Sequence, residues 1–358
     1  MTKSNKEQSK NNSNRNLKID GLRGVLAVSV FFHHTVISYY WIKNGTWEPI
    51  DNIAIMNLGS VSVSLFFMIT GYLFYKIAIK NKSPSWRTIY LSRVFRIYPV
   101  YIIAVALIFL IYFIKYGGLN VFELIKLCMN WLLFQGVDIG DFEAKRVIAG
   151  VQWTLVYEFV FYISLPFLTF IYWRKFTISN IISASISAFF VMTYVLYYDV
   201  QPEKFILFLF GFLAYEFKNS KLIIPPATGD GIINFMLVVI ISIIIFYTEP
   251  YSMLQSILTG FIFIFICSNN RTVMNFMNRR ELLLLGEISY SIYLTHGIVI
   301  FLIYTICIEY NIHNIDYGFY ISLFPIYLSI VVFISYYLHK KIEITWIKIG
   351  KVIDKKLY

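Results

Sequence analysis

Asp20 to Ile42 reads DGLRGVLAVSVFFHHTVISYYWI, and between Arg23 and Lys43 it holds no Asp, Glu, Lys or Arg. A helix of about 20 residues crosses a hydrocarbon core of roughly 30 Å, so this stretch reads as a membrane span. It has no small-residue cleavage site and runs on into polar residues of a functional kind, which is unlike a removable signal peptide. The first sixteen residues are polar and rich in Lys, Asn and Ser, the composition of a disordered tail.

Nine further segments have the same character, at about 57–79, 97–116, 150–173, 177–197, 203–217, 231–247, 251–268, 287–309 and 318–339. Of the 358 residues 58% are hydrophobic and 14% charged, and mean hydropathy is +0.66; a soluble domain carries roughly 25% charged residues. The expected fold is therefore an all-α integral membrane protein of about ten transmembrane helices. A membrane domain over 17–340 follows the tail, and 341–358 forms a basic C-terminal tail.

The net charge of +11 is explained by sidedness. With the N-terminus placed in the cytoplasm, 25 of the 31 Lys and Arg residues fall on the inside, in strict alternation of loops. They include Lys3, Lys6, Lys10, Arg15, Lys221 and Arg271. The six outside are Lys43, Lys115, Lys126, Lys145, Arg146 and Lys204. That pattern places both termini in the cytoplasm, in a multi-pass protein of the cell membrane, and leaves no nucleic-acid surface. Cys128, Cys267 and Cys307 lie in or beside apolar segments without metal-ligand or disulfide spacing, so no metal is expected. The outside connection 117–149 holds an apolar stretch, Leu124 to Phe134, too short to span. It is expected to be a re-entrant or interfacial helix, followed by an acidic turn at Asp138, Asp141 and Glu143.

Four ionisable residues sit where lipid makes them costly. Arg23 and His34 are eleven apart, about three turns, so they share a helix face with His34 about 16 Å deeper. His33 precedes it. Glu158, in Trp153-Thr-Leu-Val-Tyr157-Glu158, and His296, in Tyr290-Ser-Ile-Tyr-Leu-Thr-His296, fall at similar depth on other spans. Snorkelling and helix-to-helix hydrogen bonds account for any one of these residues. Three at one level suggest a shared polar chamber. Arg93 and Arg96 are three apart and share a helix face; they read either as flanking positive charge or as a phosphate clamp. The small pair Thr70-Gly71 in the second span suits close helix packing.

Together these segments resemble acyltransferase family 3, membrane proteins that include many bacterial O-acetyltransferases of surface polysaccharides. Asp20-Gly-Leu-Arg23-Gly24 followed by His34 resembles the family's signature of Arg, ten residues, His. Leu65-Phe-Phe-Met-Ile-Thr70-Gly71 resembles Phe-Phe-x-x-Ser-Gly, and Arg93-Val-Phe-Arg96 matches Arg-x-x-Arg. Trp153-Thr-Leu-x-x-Glu158 resembles Trp-Ser-Leu-x-x-Glu. Leu285-Gly-Glu-Ile-Ser-Tyr290-Ser-Ile-Tyr-Leu-Thr-His296 resembles the late Gly-x-x-Ser-Tyr-x-x-Tyr-Leu-x-His element. Thr70 and Thr154 keep a hydroxyl where Ser is usual; Thr295 replaces a common Trp. The fused esterase-like domain of some relatives is not expected here.

The resemblance implies a membrane O-acyltransferase moving acetyl from cytoplasmic acetyl-CoA to a hydroxyl of a cell-surface carbohydrate. Arg23, Arg93 and Arg96 would meet the donor's phosphates. His34 would act as general base or acyl acceptor, with Glu158 partnering the imidazolium. Trp153, Tyr157 and His296 are the candidate acceptor contacts. The competing class is a transporter or flippase of a glycan or lipid-linked sugar with a midplane His/Glu relay; dependence on acyl-CoA separates the two.

Overall fold

The computed structural model describes residues 16–198, 200–220, 230–268, 276–312 and 314–357, with backbone only at 230–234. The expected tail, with Lys3, Lys6, Lys10 and Arg15, lies outside these residues, as do Lys221 and Arg271. Among the described residues the chain is helical, and the sole β-type pairing is an isolated bridge between Ile139 and Phe142.

Helix α1 spans Leu17–Asn44 and stops at Gly45, whose φ of 75° closes the last turn onto the Trp41 carbonyl. Helix α2, Ile53–Phe74, opens on Asn52, which accepts from the Ile55 N–H. It runs into a wide π turn, Tyr75–Ile79. Helix α3, Trp86–Tyr116, carries the Arg93 and Arg96 pair in its first three turns. After it come α4 (Val121–Leu132), a 3₁₀ turn (Ala144–Ile148), α5 (Gln152–Trp173) and α6 (Ile178–Tyr197). Helices α7 (Ile206–Asn219), α8 (Asp230–Tyr247) and α9 (Met253–Ser268) are shorter. The chain continues through α10 (Arg280–Glu287), α11 (Ser289–Glu309), α12 (Tyr317–Ser322) and α13 (Phe324–Leu338). A second π turn, His339–Glu343, leads into α14, Ile344–Lys356.

Among the described residues, seven helical segments are long and apolar enough to cross a membrane: α1, α2 with its π turn, α3, α5, α6, α11, and the run Tyr317–Lys356. The three remaining expected spans correspond to α7, α8 and α9. At 1.5 Å per residue the 14 residues of α7 reach about 21 Å, less than the hydrocarbon thickness. The expected interfacial element is α4. It exposes Val121, Phe122, Ile125 and Met129 on one side and buries Leu127 and Trp131 on the other.

Helix α1 sits at the centre, packed against α2, α10 and α11. Opposite it, α2 and α7 cross with backbones in contact. A Cβ on Gly71 would strike the Phe208 backbone, and one on Gly211 would strike the backbone of Met68 and Tyr72. Small residues permit such an approach in a membrane, where packing rather than water drives helix association. Gly211→Val is expected to destabilise the solubilised protein by about 3 kcal/mol, read as a lowered thermal midpoint; an unchanged midpoint would show that the helices can separate there freely. At the far end of α2, Asn57 Nδ2 donates to the carbonyls of Ile244 and Thr248, at 3.1 and 2.7 Å. Gln255 Nε2 donates to Asn57 Oδ1 at 2.8 Å. This buried network satisfies the last carbonyls of α8 and ties α2, α8 and α9 together.

Candidate active site

The elements above form an open cavity, with about 850 Å³ of empty space including its mouth, at the end of the bundle where α1 and α3 carry their arginines. Arg23 from α1, Arg93 and Arg96 from α3, and Glu158 from α5 all face it, as do Tyr162 and Tyr293. Four of the residues singled out from sequence thus meet in one chamber, contributed by three helices distant in the chain.

Glu158 is fully engaged. Thr70 Oγ1 donates to Oε1 at 3.2 Å and Tyr162 OH donates to Oε2 at 2.8 Å. The hydroxyl kept at position 70 therefore holds the carboxylate from α2. Tyr162 lies one turn after Glu158 on α5, an i,i+4 pair. The guanidinium of Arg93 lies 5.0 Å from the Phe74 ring centroid, and its buried Nε has no hydrogen-bond partner. An unmatched buried donor costs roughly 1–3 kcal/mol and is suited to an anionic ligand. Ser289 Oγ, in the same wall, is likewise buried without a partner.

Deeper along α1, His34 faces α11. Its Nδ1 lies 2.9 Å from Nε2 of His296, and the rings stack at 14°. His296 is fully buried, and its Nδ1 lies 3.0 Å from the Ile292 carbonyl. A carbonyl oxygen can only accept, so His296 carries its proton on Nδ1. For neutral rings the rest follows: His296 Nε2 accepts from His34 Nδ1–H, and His34 Nε2 keeps a free lone pair. The backbone of α11 thus dictates, through His296, which nitrogen of His34 is basic. His33 is held differently, with Nδ1–H donating to the Ile55 carbonyl at 2.8 Å and its ring against Gly59. That histidine pins α1 to α2.

The cavity and the histidine pair adjoin through Tyr293. Its hydroxyl lies 2.9 Å from Thr154 Oγ1, and its ring centroid lies 6.0 Å from that of His296. On the other side, Trp47 from the α1–α2 loop covers His34 at 5.8 Å, with Arg146 stacked over Trp47 at 5.5 Å. Trp153 and Tyr157 lie elsewhere. With Tyr251 they surround Lys204 Nζ, at 4.7, 5.4 and 5.0 Å from the three ring centroids. Phe67 separates this aromatic cluster from the cavity, touching both rings. Tyr162 and Trp47 escaped sequence reasoning, although Tyr162 stands at the i+4 position from Glu158; Tyr293 stood in the late motif without a role assigned to it.

His296→Asn tests the tautomer argument. Turnover is expected to fall by about tenfold to a hundredfold through a loosened His34, with thermal stability read alongside. Turnover equal to that of the intact protein would show that His34 needs no partner.

An apolar helical bundle with a basic cavity at one end and a paired histidine in its middle suits a multi-pass membrane enzyme. The comparisons agree: a family model described as an acyltransferase domain, of acyltransferase family 3, matches residues 16–340, and the chain belongs to that family. Nodulation protein 10 of Rhizobium leguminosarum bv. viciae is 25% identical over 185 residues, 47% of this chain and 48% of that protein. The match therefore spans less than half of either chain. No solved structure matches.

Proposed function

We propose that the protein is an O-acetyltransferase that carries acetyl from cytoplasmic acetyl-CoA to a hydroxyl of a cell-surface carbohydrate in the cell membrane. The observation that carries this reading is the alignment of the two sites. Three arginines converge on a cavity with unmatched donors, and a histidine with a defined basic nitrogen lies one tyrosine deeper.

Arg23, Arg93 and Arg96 take the phosphates of the donor, for which guanidinium groups are suited by their planar fork of N–H donors. The pantetheine arm then runs past Tyr293 and presents the thioester near His34. His34 Nε2 removes the proton of the acceptor hydroxyl as its oxygen attacks the thioester carbonyl. The carbon–sulfur bond breaks, and the imidazolium returns its proton to the departing thiolate of CoA. His296 keeps the ring oriented. Glu158 offsets part of the positive charge of the arginines and of the transient imidazolium. Trp153 and Tyr157 offer aromatic faces for the sugar at the opposite end.

Ten crossings with both termini in the cytoplasm accord with the 25-to-6 distribution of basic residues. In that reading α7, α8 and α9 complete the bundle behind α2. A reporter fused after Tyr358 is expected to be active only in the cytoplasm; an outside signal would remove the topology on which the donor's route depends.

The donor is tested with membranes containing the protein, acetyl-CoA and glycan from the host. Free CoA thiol and acetyl ester on the glycan are expected to appear in equal amounts. Movement of glycan without any CoA release would favour a transporter.

A further inference from the structure

A second group of ionisable side chains lies just behind the donor cavity, where the last expected span meets the segment read from sequence as a basic tail. Glu343 is 1% exposed, and both of its oxygens are used. Oε1 lies 3.7 Å from Arg96 Nε. Oε2 accepts from His339 Nδ1 at 2.8 Å and from Ser291 Oγ at 3.4 Å. The π turn at His339–Glu343 adds an extra residue to the turn and directs His339 and Glu343, four apart, into the bundle. Such a buried carboxylate is costly unless its partners are fixed, and here the partners come from α3, α11 and the π turn. Past it, α14 lies along α3. Trp346 stacks on Phe95, Gly350 sits against the Phe95 ring, and Asp354 holds Arg87 at 3.1 Å and Thr88 at 2.9 Å. The C-terminal helix is thus fastened to the helix that bears the arginine pair, and it lies beyond the residues matched by the family model.

We infer that Glu343, carried by the C-terminal segment, is a positioning residue that holds Arg96 in the donor cavity. The inference rests on the donor reading above. Arg23, Arg93 and Arg96 are like charges crowded into one chamber, and Arg96 is 30% exposed. Left alone, its flexible side chain would move towards water and away from the other two. Glu343 engages Nε, and no hydrogen bond from the terminal nitrogens of Arg96 is formed among the described residues, so the fork stays available to a phosphate. Glu343 does not itself line the cavity, so it acts through Arg96.

The sign of the effect separates positioning from simple electrostatics. Removing a carboxylate beside an anion site tightens anion binding by Coulomb's law alone; removing a positioning contact weakens it. The experiment measures binding of coenzyme A to the full-length solubilised protein, with thermal unfolding followed in the same samples. Glu343→Gln is expected to weaken binding by about tenfold, with Glu343→Asp recovering part of the loss. In an Arg96→Ala background, Glu343→Gln is expected to change nothing further, because the group it positions is gone. Equal or tighter binding by folded Glu343→Gln overturns the inference, as does a full additional loss in the Arg96→Ala background. Absence of coenzyme A binding by the unmodified protein would instead overturn the donor reading.

Discussion

Replacing His34 with Ala is expected to lower acyl transfer by about a thousandfold while the protein still folds and still binds the donor. A general base contributes typically 10²–10⁴ in rate, and His34, beyond Tyr293 from the donor cavity, presents a ring nitrogen left without a proton by its hydrogen-bonded partner. The arginines of the donor cavity are untouched by the change, so donor affinity should hold within about threefold. His34→Gln keeps a donor for His296 but loses the basic nitrogen, and it should fail equally. Activity in His34→Gln with none in His34→Ala would mean that the ring is a spacer and not a base.

The second large effect concerns the arginine pair. Arg93→Ala combined with Arg96→Ala is expected to raise the donor KM by about a hundredfold or more, with a smaller fall in kcat. Each guanidinium–phosphate contact is a charge-assisted interaction in a partly desolvated chamber, roughly 1.5–3 kcal/mol. Arg93 enters with a buried Nε that nothing in the free protein satisfies, so its interaction with an anion is gained at little cost. Loss of kcat with donor KM unchanged would move the pair out of the donor site and into the stabilisation of the reacting atoms.

The three-turn spacing of Arg23 and His34, and the three-residue spacing of Arg93 and Arg96, are helix geometry, and helix geometry is legible in a sequence once the spans are placed. Equal cost at equal depth grouped His34, Glu158 and His296; the two histidines do meet, but Glu158 lines the cavity with Arg23, Arg93 and Arg96, which only the resemblance had grouped. What could not be read is which helix lies beside which. His34 was expected to face Glu158, yet its hydrogen-bond partner is His296, 262 residues away, while Glu158 is held by Thr70 and Tyr162. Trp153 and Tyr157 were grouped with Glu158 because they adjoin it in sequence. On a helix each residue turns by 100°, so Trp153 and Tyr157 share one face while Thr154 and Glu158 share the next. The first face meets Lys204 and Tyr251; the second meets the cavity.

The C-terminal segment was obscured by its charge. Five Lys residues from Lys341 to Lys356 read as a basic tail. Trp346, Gly350 and Asp354, at four-residue spacing, are the face that packs on α3. The short helices α7 to α9 were counted as spans on apolarity and on the alternation of basic residues between loops. The crossing of α7 with α2 at paired glycines shows that their apolar surface also serves packing inside the bundle.

The most direct test of the account is transfer of isotopically labelled acetyl from acetyl-CoA to glycan by membranes containing the protein, with His34→Ala membranes alongside. The account predicts label in the glycan with the unmodified protein and none above background with the variant. Label carried equally well by both, or no label and no CoA release from folded protein supplied with host glycan, would contradict it.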